Sequence, residues 1–171
     1  MAVDELTEES GQPALSKAQI GARRVQLYAI AAVVVIIDQV TKQIALNTLA
    51  DGPIEGPFGT SLRLIFNRAA AFSLGEGFGP VFGILAILVS IAMYWIVRGV
   101  ERRLVVSGLG LVAGGAIGNV IDRAFRQGGD GFLGGAVVDF LQAAPWYPIF
   151  NVADIAVVGG GLMVAILSPR D

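Results

Sequence analysis

Four long apolar runs dominate the chain, at roughly residues 25–46, 78–97, 104–121 and 148–167, each bounded by charge or by glycine and proline. A helix crossing the hydrocarbon core of a bilayer needs about 20 mainly apolar residues, and each run approaches that length. The second carries no charge, and the third is broken only by small or uncharged polar residues. The first and fourth hold ionisable groups inside the span. The pattern predicts an all-α membrane protein with four transmembrane helices. Between the first two runs, SLRLIFN alternates, with Leu62, Leu64 and Phe66 on one side and Arg63 and Ile65 on the other. That period predicts a small strand or hairpin at the membrane surface. A second connection, RQGGDGFLGGAVVDFLQAAPWYP, is glycine-rich and then aromatic, and Trp146 and Tyr147 sit where interfacial rings anchor a span.

Composition fits this picture. Hydrophobic residues make up 54% of the 171 and charged ones 15%, with a mean hydropathy of +0.69, far from the balance of a soluble domain. The net charge of −2 adds little, because acidic residues cluster in the opening MAVDELTEES. Residues 1–22 read as a disordered cytoplasmic tail, and 23–171 as one domain. The tail lacks the basic start and apolar centre of a signal peptide, so the first run is expected to stay as an anchor.

Four spans place both termini on one side, and basic residues choose the side. Lys17, Arg23, Arg24, Arg98, Arg102, Arg103 and Arg170 fall at one set of span ends, and Lys42, Arg63, Arg68, Arg123 and Arg126 at the other. The compact RGVERR turn carries three of the first seven. Both termini are therefore expected in the cytoplasm, with the two longer connections outside.

No cysteine or histidine occurs in the sequence. Disulfides, thiolate or imidazole metal sites, cysteine nucleophiles and histidine-containing triads are excluded. Chemistry has to come from Asp, Glu, Lys, Arg, Ser, Thr or Asn. The polar residues associated with the spans are Asp38, Lys42, Asn67, Asn119, Asp122, Arg123, Asp139, Asn151 and Asp154. By the expected topology all nine fall in the outer half or at the outer interface, which predicts a shared polar site there. Asp38 and Lys42 stand at i,i+4 and stack as an ion pair on a helix. Asn119 and Asp122, and Asn151 and Asp154, stand at i,i+3 and project from one helical face. Intramembrane ion pairs and Asn hydrogen bonds also simply hold helices together. So do AGGAIGN (113–119) and VVGGG (157–161), whose small residues let backbones approach.

Asp139 and Asp154 differ from the rest because neither has an obvious local cation, unless Arg123 or Lys42 reaches it. Ionisable groups within a membrane are more often functional than structural. If the two approach each other, repulsion and desolvation leave them sharing one proton. One then acts as base toward water while the other protonates a carbonyl oxygen, the logic of an aspartic protease.

DQVTK (38–42), FNRAAAFS (66–73), GNVIDR (118–123), VVDF (137–140) and FNVAD (150–154) resemble, in order, the motifs of the bacterial lipoprotein signal peptidase family, signal peptidase II. The resemblance implies an aspartic endopeptidase of the bacterial cytoplasmic membrane. Its substrates are prolipoproteins already carrying diacylglyceryl on the lipobox cysteine, and it cuts immediately before that cysteine. It implies Asp139 and Asp154 as the catalytic dyad. Asn67, Asn119, Arg123 and Asn151 match residues that bind substrate or support the dyad, and Asp38, Lys42 and Asp122 match residues that hold the site together. It further implies an extracytoplasmic β-cradle (about 50–73), an interfacial helix between Asp139 and the fourth span, and an active site near the outer face. Membrane lipids are expected as partners and a monomer as the assembly, with no nucleic acid, cofactor or metal. One departure stands in Asn67-Arg68-Ala69, where alanine replaces the family's usual glycine and adds a methyl group to the cleft.

Other readings compete, among them a purely structural membrane subunit. A small proton- or cation-coupled transporter would load protons on Asp139 and Asp154, but the inner halves of the spans carry almost no polar residue for a second access path. A Ser73–Lys42 protease fits by residue type, although Asp38 favours the charged ammonium over the neutral base. Gly128-Gly129-Asp130 approaches the Gly-x-Gly-Asp motif of other intramembrane aspartic proteases, but Gln127 stands where its first glycine belongs.

Overall fold

The computed structural model describes residues 15–68, 79–126 and 131–168. Along them run α1 (Lys17–Thr48), β1 (Ile54–Glu55), β2 (Ser61–Asn67), α2 (Gly79–Ile96), α3 (Arg103–Phe125), β3 (Val137–Gln142) and α4 (Val152–Leu167). The strands form one antiparallel sheet in the order β1-β2-β3. Helix α3 is central and packs against α1, α2 and α4.

Small residues on α3 make that central position possible. A side chain on Gly114 would strike Ala31 and Val34 of α1, and one on Gly115 would run into the Ala153 carbonyl of α4. Gly160 on α4 meets the Gly108 carbonyl in the same way, whereas Gly159 and Gly161 face open space. All three glycines of the first run are thus needed for close approach, Gly118 against the Asp38 carboxylate, but only Gly160 of the second.

The molecule is apolar outside and polar within. Ile36, Ile37, Val40 and Ile44 of α1, Leu85, Leu88 and Ile91 of α2, and Ile155, Val158, Leu162 and Ile166 of α4 are exposed. Asp38, Lys42, Asp122, Arg123, Asp139 and Asn151 are buried. That inversion suits a hydrocarbon solvent. α1 and α3 are long and apolar enough to cross a bilayer, while the apolar helices corresponding to α2 and α4 are shorter.

Several boundaries differ from expectation. Ser16 and Gln19 form a reciprocal capping box, so α1 starts at Lys17 and residues 17–22 are helical instead of tail. α4 starts at Val152 instead of residue 148, because Phe150 pairs with Leu141 as extended chain and Asn151 caps the helix. The stretch read as an interfacial helix is a turn, in which Tyr147 N donates to Ala144 O at 3.0 Å between Pro145 and Pro148. The sheet also reaches beyond the expected 50–73 cradle, since β3 comes from the second connection. The all-α description thus becomes a mostly helical fold with a three-stranded sheet.

Register decides what the sheet presents. Leu62 pairs with Leu141 and Ile65 with Asp139, so Arg63 and Leu64 oppose Phe140 alone in a bulge. The bulge breaks the simple alternation expected of SLRLIFN and leaves Leu62 and Leu64 on different faces. Leu64, Val138 and Phe140 pack on Ala45 and Leu49 near the end of α1. Ile65, Asn67, Val137 and Asp139 share the opposite face and line a cavity.

Gly115→Ala should lower stability by about 1–3 kcal/mol, because its methyl group meets backbone that cannot yield like a side chain. Thermal unfolding in detergent checks this, with Gly161→Ala, which faces open space, expected near wild type.

Candidate active site

Two connected layers of polar side chains join α1, α3, α4 and β3. The deeper layer is ionic. Lys42 Nζ lies 2.9 Å from Asp38 Oδ2 and 2.9 Å from Asp122 Oδ2, with all three side chains at 0% exposure. Asp38 Oδ1 accepts the Ala153 N–H at 3.0 Å, tying α1 to the start of α4. Asp122 Oδ2 accepts the Val138 N–H at 3.0 Å, tying α3 to β3. Arg126 Nε donates to Asp122 Oδ1 at 2.7 Å, and Gln39 Nε2 bridges Asp38 and Asp122 at 3.1 Å each. Buried charges are tolerable only when paired and hydrogen-bonded, and these are.

The second layer faces the cavity. Lys42 Nζ donates to Asn119 Oδ1 at 3.0 Å, and Asn119 Nδ2 donates to Asp154 Oδ1 at 3.0 Å. Asn151 Nδ2 donates to Asp139 Oδ1 at 2.7 Å and to Asn119 Oδ1 at 3.1 Å. From β2, Asn67 Nδ2 donates to Asp139 Oδ2 at 2.9 Å. Asp154 closes a capping box with Asn151: its N–H donates to Asn151 Oδ1 at 3.0 Å, and its Oδ2 accepts the Asn151 N–H at 3.1 Å. This carboxylate sits in the first turn of α4, where the helix dipole favours negative charge.

Asp139 is only 3% exposed. Burial lifts its pKa to about 6; the Asn67 hydrogen bond opposes the rise, repulsion from Asp154 adds to it, and Asn151 and Lys42 pull it down. Arg123, on the same cavity wall, interacts electrostatically with Asp139, Asp122 and Asp154. The cavity holds about 820 Å³. Asn67, Asn119, Arg123, Asp139 and Asp154 form its polar end, and α2, α3 and α4 supply apolar walls through Leu85, Val89, Val112 and Val157. Two carboxylates, one lifted toward neutrality and one at a helix N-terminus, beside a cleft of this size can activate water against a peptide carbonyl.

All nine residues singled out from the sequence join this network, with two changes of geometry. Asn151 and Asp154 do not share a helical face, since Asn151 has extended backbone and caps the helix that Asp154 enters. Asp122 pairs with Lys42 and Arg126, while its neighbour Arg123 turns to the cavity. Sequence reading missed Arg126 and Gln39; Arg126 stands at i,i+4 from Asp122, a spacing that could have flagged it. Ala69, Ser73, Gln127, Gly128, Gly129 and Asp130 lie outside the described residues.

Residues 30–169 match the family model of signal peptidase (SPase) II. The lipoprotein signal peptidase of Mycobacterium tuberculosis H37Rv is 39% identical over 165 residues, covering 95% of this chain and 80% of the relative. That of Mycobacterium avium (strain 104) is 41% identical over 145 residues, covering 83% and 78%. Two solved structures of a bacterial membrane enzyme, obtained by the in meso method, superpose with TM-scores of 0.70 and 0.68 at 30% identity. They cover 86% and 88% of this chain, and 87% and 96% of their own.

A folded pKa raised from 3.8 to about 6 makes Asp139 a pH-dependent stability element. Its contribution is complete below the unfolded value near 4 and is lost as pH rises through about 6. Thermal unfolding across that window should show wild type losing up to about 3 kcal/mol relative to Asp139→Asn. Parallel curves for the two proteins would contradict the assignment.

Proposed function

This chain belongs to the signal peptidase II family, and from that premise we propose that Asp139 and Asp154 are its catalytic pair. The family activity is endoproteolytic removal of the signal peptide from prolipoproteins in a bacterial membrane. The observation that carries the assignment is the convergence of both carboxylates on one polar cavity end, each oriented by asparagine donors.

In the reading we favour, Asp139 holds the shared proton and Asp154 is the base. Burial makes Asp139 the readier proton holder, and the helix N-terminus suits Asp154 to negative charge. Asp154 takes a proton from water as the oxygen attacks the scissile carbonyl, and Asp139 gives its proton to the carbonyl oxygen. The tetrahedral diol then collapses: the C–N bond breaks, a proton passes to the leaving nitrogen, and the pair returns to one proton. The products are the signal peptide with a new carboxylate and the lipoprotein with a free amino terminus. Asn67 and Arg123 are placed to hold the substrate backbone and the developing charge. The apolar walls of α2, α3 and α4 suit a diacylglyceryl group, which would put the cut immediately before the lipidated cysteine.

The proposed topology has four spans with both termini cytoplasmic, in a single domain acting as a monomer. It rests on the basic end of the bundle. There Arg23 donates to the Glu101 carbonyl, Gln26 to the Arg103 carbonyl and Arg102 to the Leu167 carbonyl, bringing the α1 start, the α2–α3 turn and the α4 end together. The polar cavity lies at the other end, toward the sheet.

Asp139→Asn and Asp154→Asn should each lower cleavage of a lipidated prolipoprotein by about 10²–10⁴-fold while the protein stays folded. The same substrate lacking diacylglyceryl should remain uncut by wild type. Efficient cleavage by either variant would make its aspartate structural. Because the sequence lacks cysteine, Glu55→Cys and Glu101→Cys report topology directly. In intact spheroplasts an impermeant maleimide should label the first and spare the second, and the opposite result would invert the orientation.

A further inference from the structure

Donor-only groups dictate which way the asparagines point. Lys42 Nζ cannot accept a hydrogen bond, so the Asn119 atom it meets at 3.0 Å has to be the carbonyl oxygen. That turns the Asn119 amide toward Asp154. The Asp154 backbone N–H likewise claims the Asn151 oxygen and leaves its amide for Asp139 and Asn119. A reversed Asn119 would set donor against donor at Lys42 and acceptor against acceptor at Asp154. The ammonium has three hydrogens and three partners: Asp38, Asp122 and Asn119. Its direction is therefore fixed.

The charges of Asp38 and Asp122 are balanced by Lys42 and Arg126. Holding α1 to α3 requires only the ion pairs; the contact with Asn119 is additional to that. Lys42 is fully buried and does not line the cavity, so it touches no substrate and acts on the reaction through Asn119 and through its charge on Asp139.

We propose that Lys42 is a positioning residue for the reaction: it fixes the Asn119 oxygen, which also accepts from Asn151, keeps the Asn119 amide directed at Asp154, and so sets the pH range in which the pair works. This rests on the catalytic reading of the two aspartates. Other charged groups face the pair as well. Arg123 of α3 interacts with both, Arg68 after β2 lines the same cavity, and the α2 wall at Leu85, Ala86 and Val89 is uncharged. All of these stay unchanged in the variants below.

The test uses the full chain in detergent, a lipidated prolipoprotein, and two double variants. Asp38→Asn with Lys42→Met, and Asp38→Asn with Lys42→Gln, each remove one negative and one positive charge and leave Asp122 with Arg126. The doubles match in charge and nearly in size, but only glutamine can donate to Asn119. The methionine double should lose about 30-fold or more in kcat with little change in KM, the scale of a lost hydrogen bond to a charged site. Its acid limb should move up by roughly one pH unit, because an attraction favouring the ionised pair is gone. The glutamine double should recover about tenfold of the lost rate.

Wild-type kcat and acid limb in a folded methionine double overturn the proposal, and so does equal activity of the two doubles. If both doubles fail to fold, Asn119→Asp supplies the readout: it keeps an oxygen toward Lys42 but cannot donate to Asp154 when ionised. A large kcat loss with a displaced acid limb supports the proposal, and wild-type behaviour there overturns it. Activity surviving in Asp139→Asn or Asp154→Asn is a separate result that removes the catalytic reading itself.

Discussion

The ammonium of Lys42, held between Asp38 and Asp122 at 2.9 Å from each, is the contact on which the rest of the structure depends. It brings α1 and α3 together in a place that water does not reach. The two carboxylates also reach outward, Asp38 through its other oxygen to the first turn of α4 and Asp122 through the same Oδ2 that Lys42 holds to the backbone of β3. A single buried cation thus fixes both segments that deliver the aspartates, because Val138 adjoins Asp139 and Ala153 adjoins Asp154. Removing one partner would strand a buried charge, which typically costs several kcal/mol.

The glycines and the ion pairs serve the same end. Gly115 brings α4 against α3 beside Ala153, and Gly118 leaves room for the Asp38 carboxylate, so the polar network fits where larger residues would hold the helices apart. The sheet adds the element that helices alone could not. Asp139 rides on a strand whose bulged pairing with β2 presents it beside Asn67, while the reverse face packs on α1. One carboxylate comes from a strand interior and the other from a helix N-terminus, and these backbones provide different surroundings for two chemically identical groups.

Much of this was legible in the sequence because the relevant signals are local. The apolar runs, the presence of a strand at SLRLIFN though not which residues share its faces, the i,i+4 spacing of Asp38 and Lys42, and the isolation of Asp139 and Asp154 all lie within short windows. Nonlocal features were not. VVDFLQ carries no clear alternation, so β3 emerges only when β2 and Phe150 are there to pair with it. The start of α4 depends on Asn151 being needed as both cap and donor, which a count of apolar residues does not reveal. Gln39 adjoins Asp38 in sequence, yet its role comes from reaching across to Asp122 on α3. Family membership also answers the transporter alternative, which composition alone left open.

The proposed chemistry requires Asp139 and Asp154 to work as a pair with one proton between them. Infrared difference spectroscopy of the detergent-solubilised protein reads this directly through the carboxylic acid carbonyl stretch. At about pH 5, below the raised value of Asp139, a protonated carboxyl band that shifts in heavy water should be present in wild type and absent in Asp139→Asn. A band that survives in Asp139→Asn and disappears in Asp154→Asn would reverse the roles. The absence of any such band in wild type would contradict the shared proton itself.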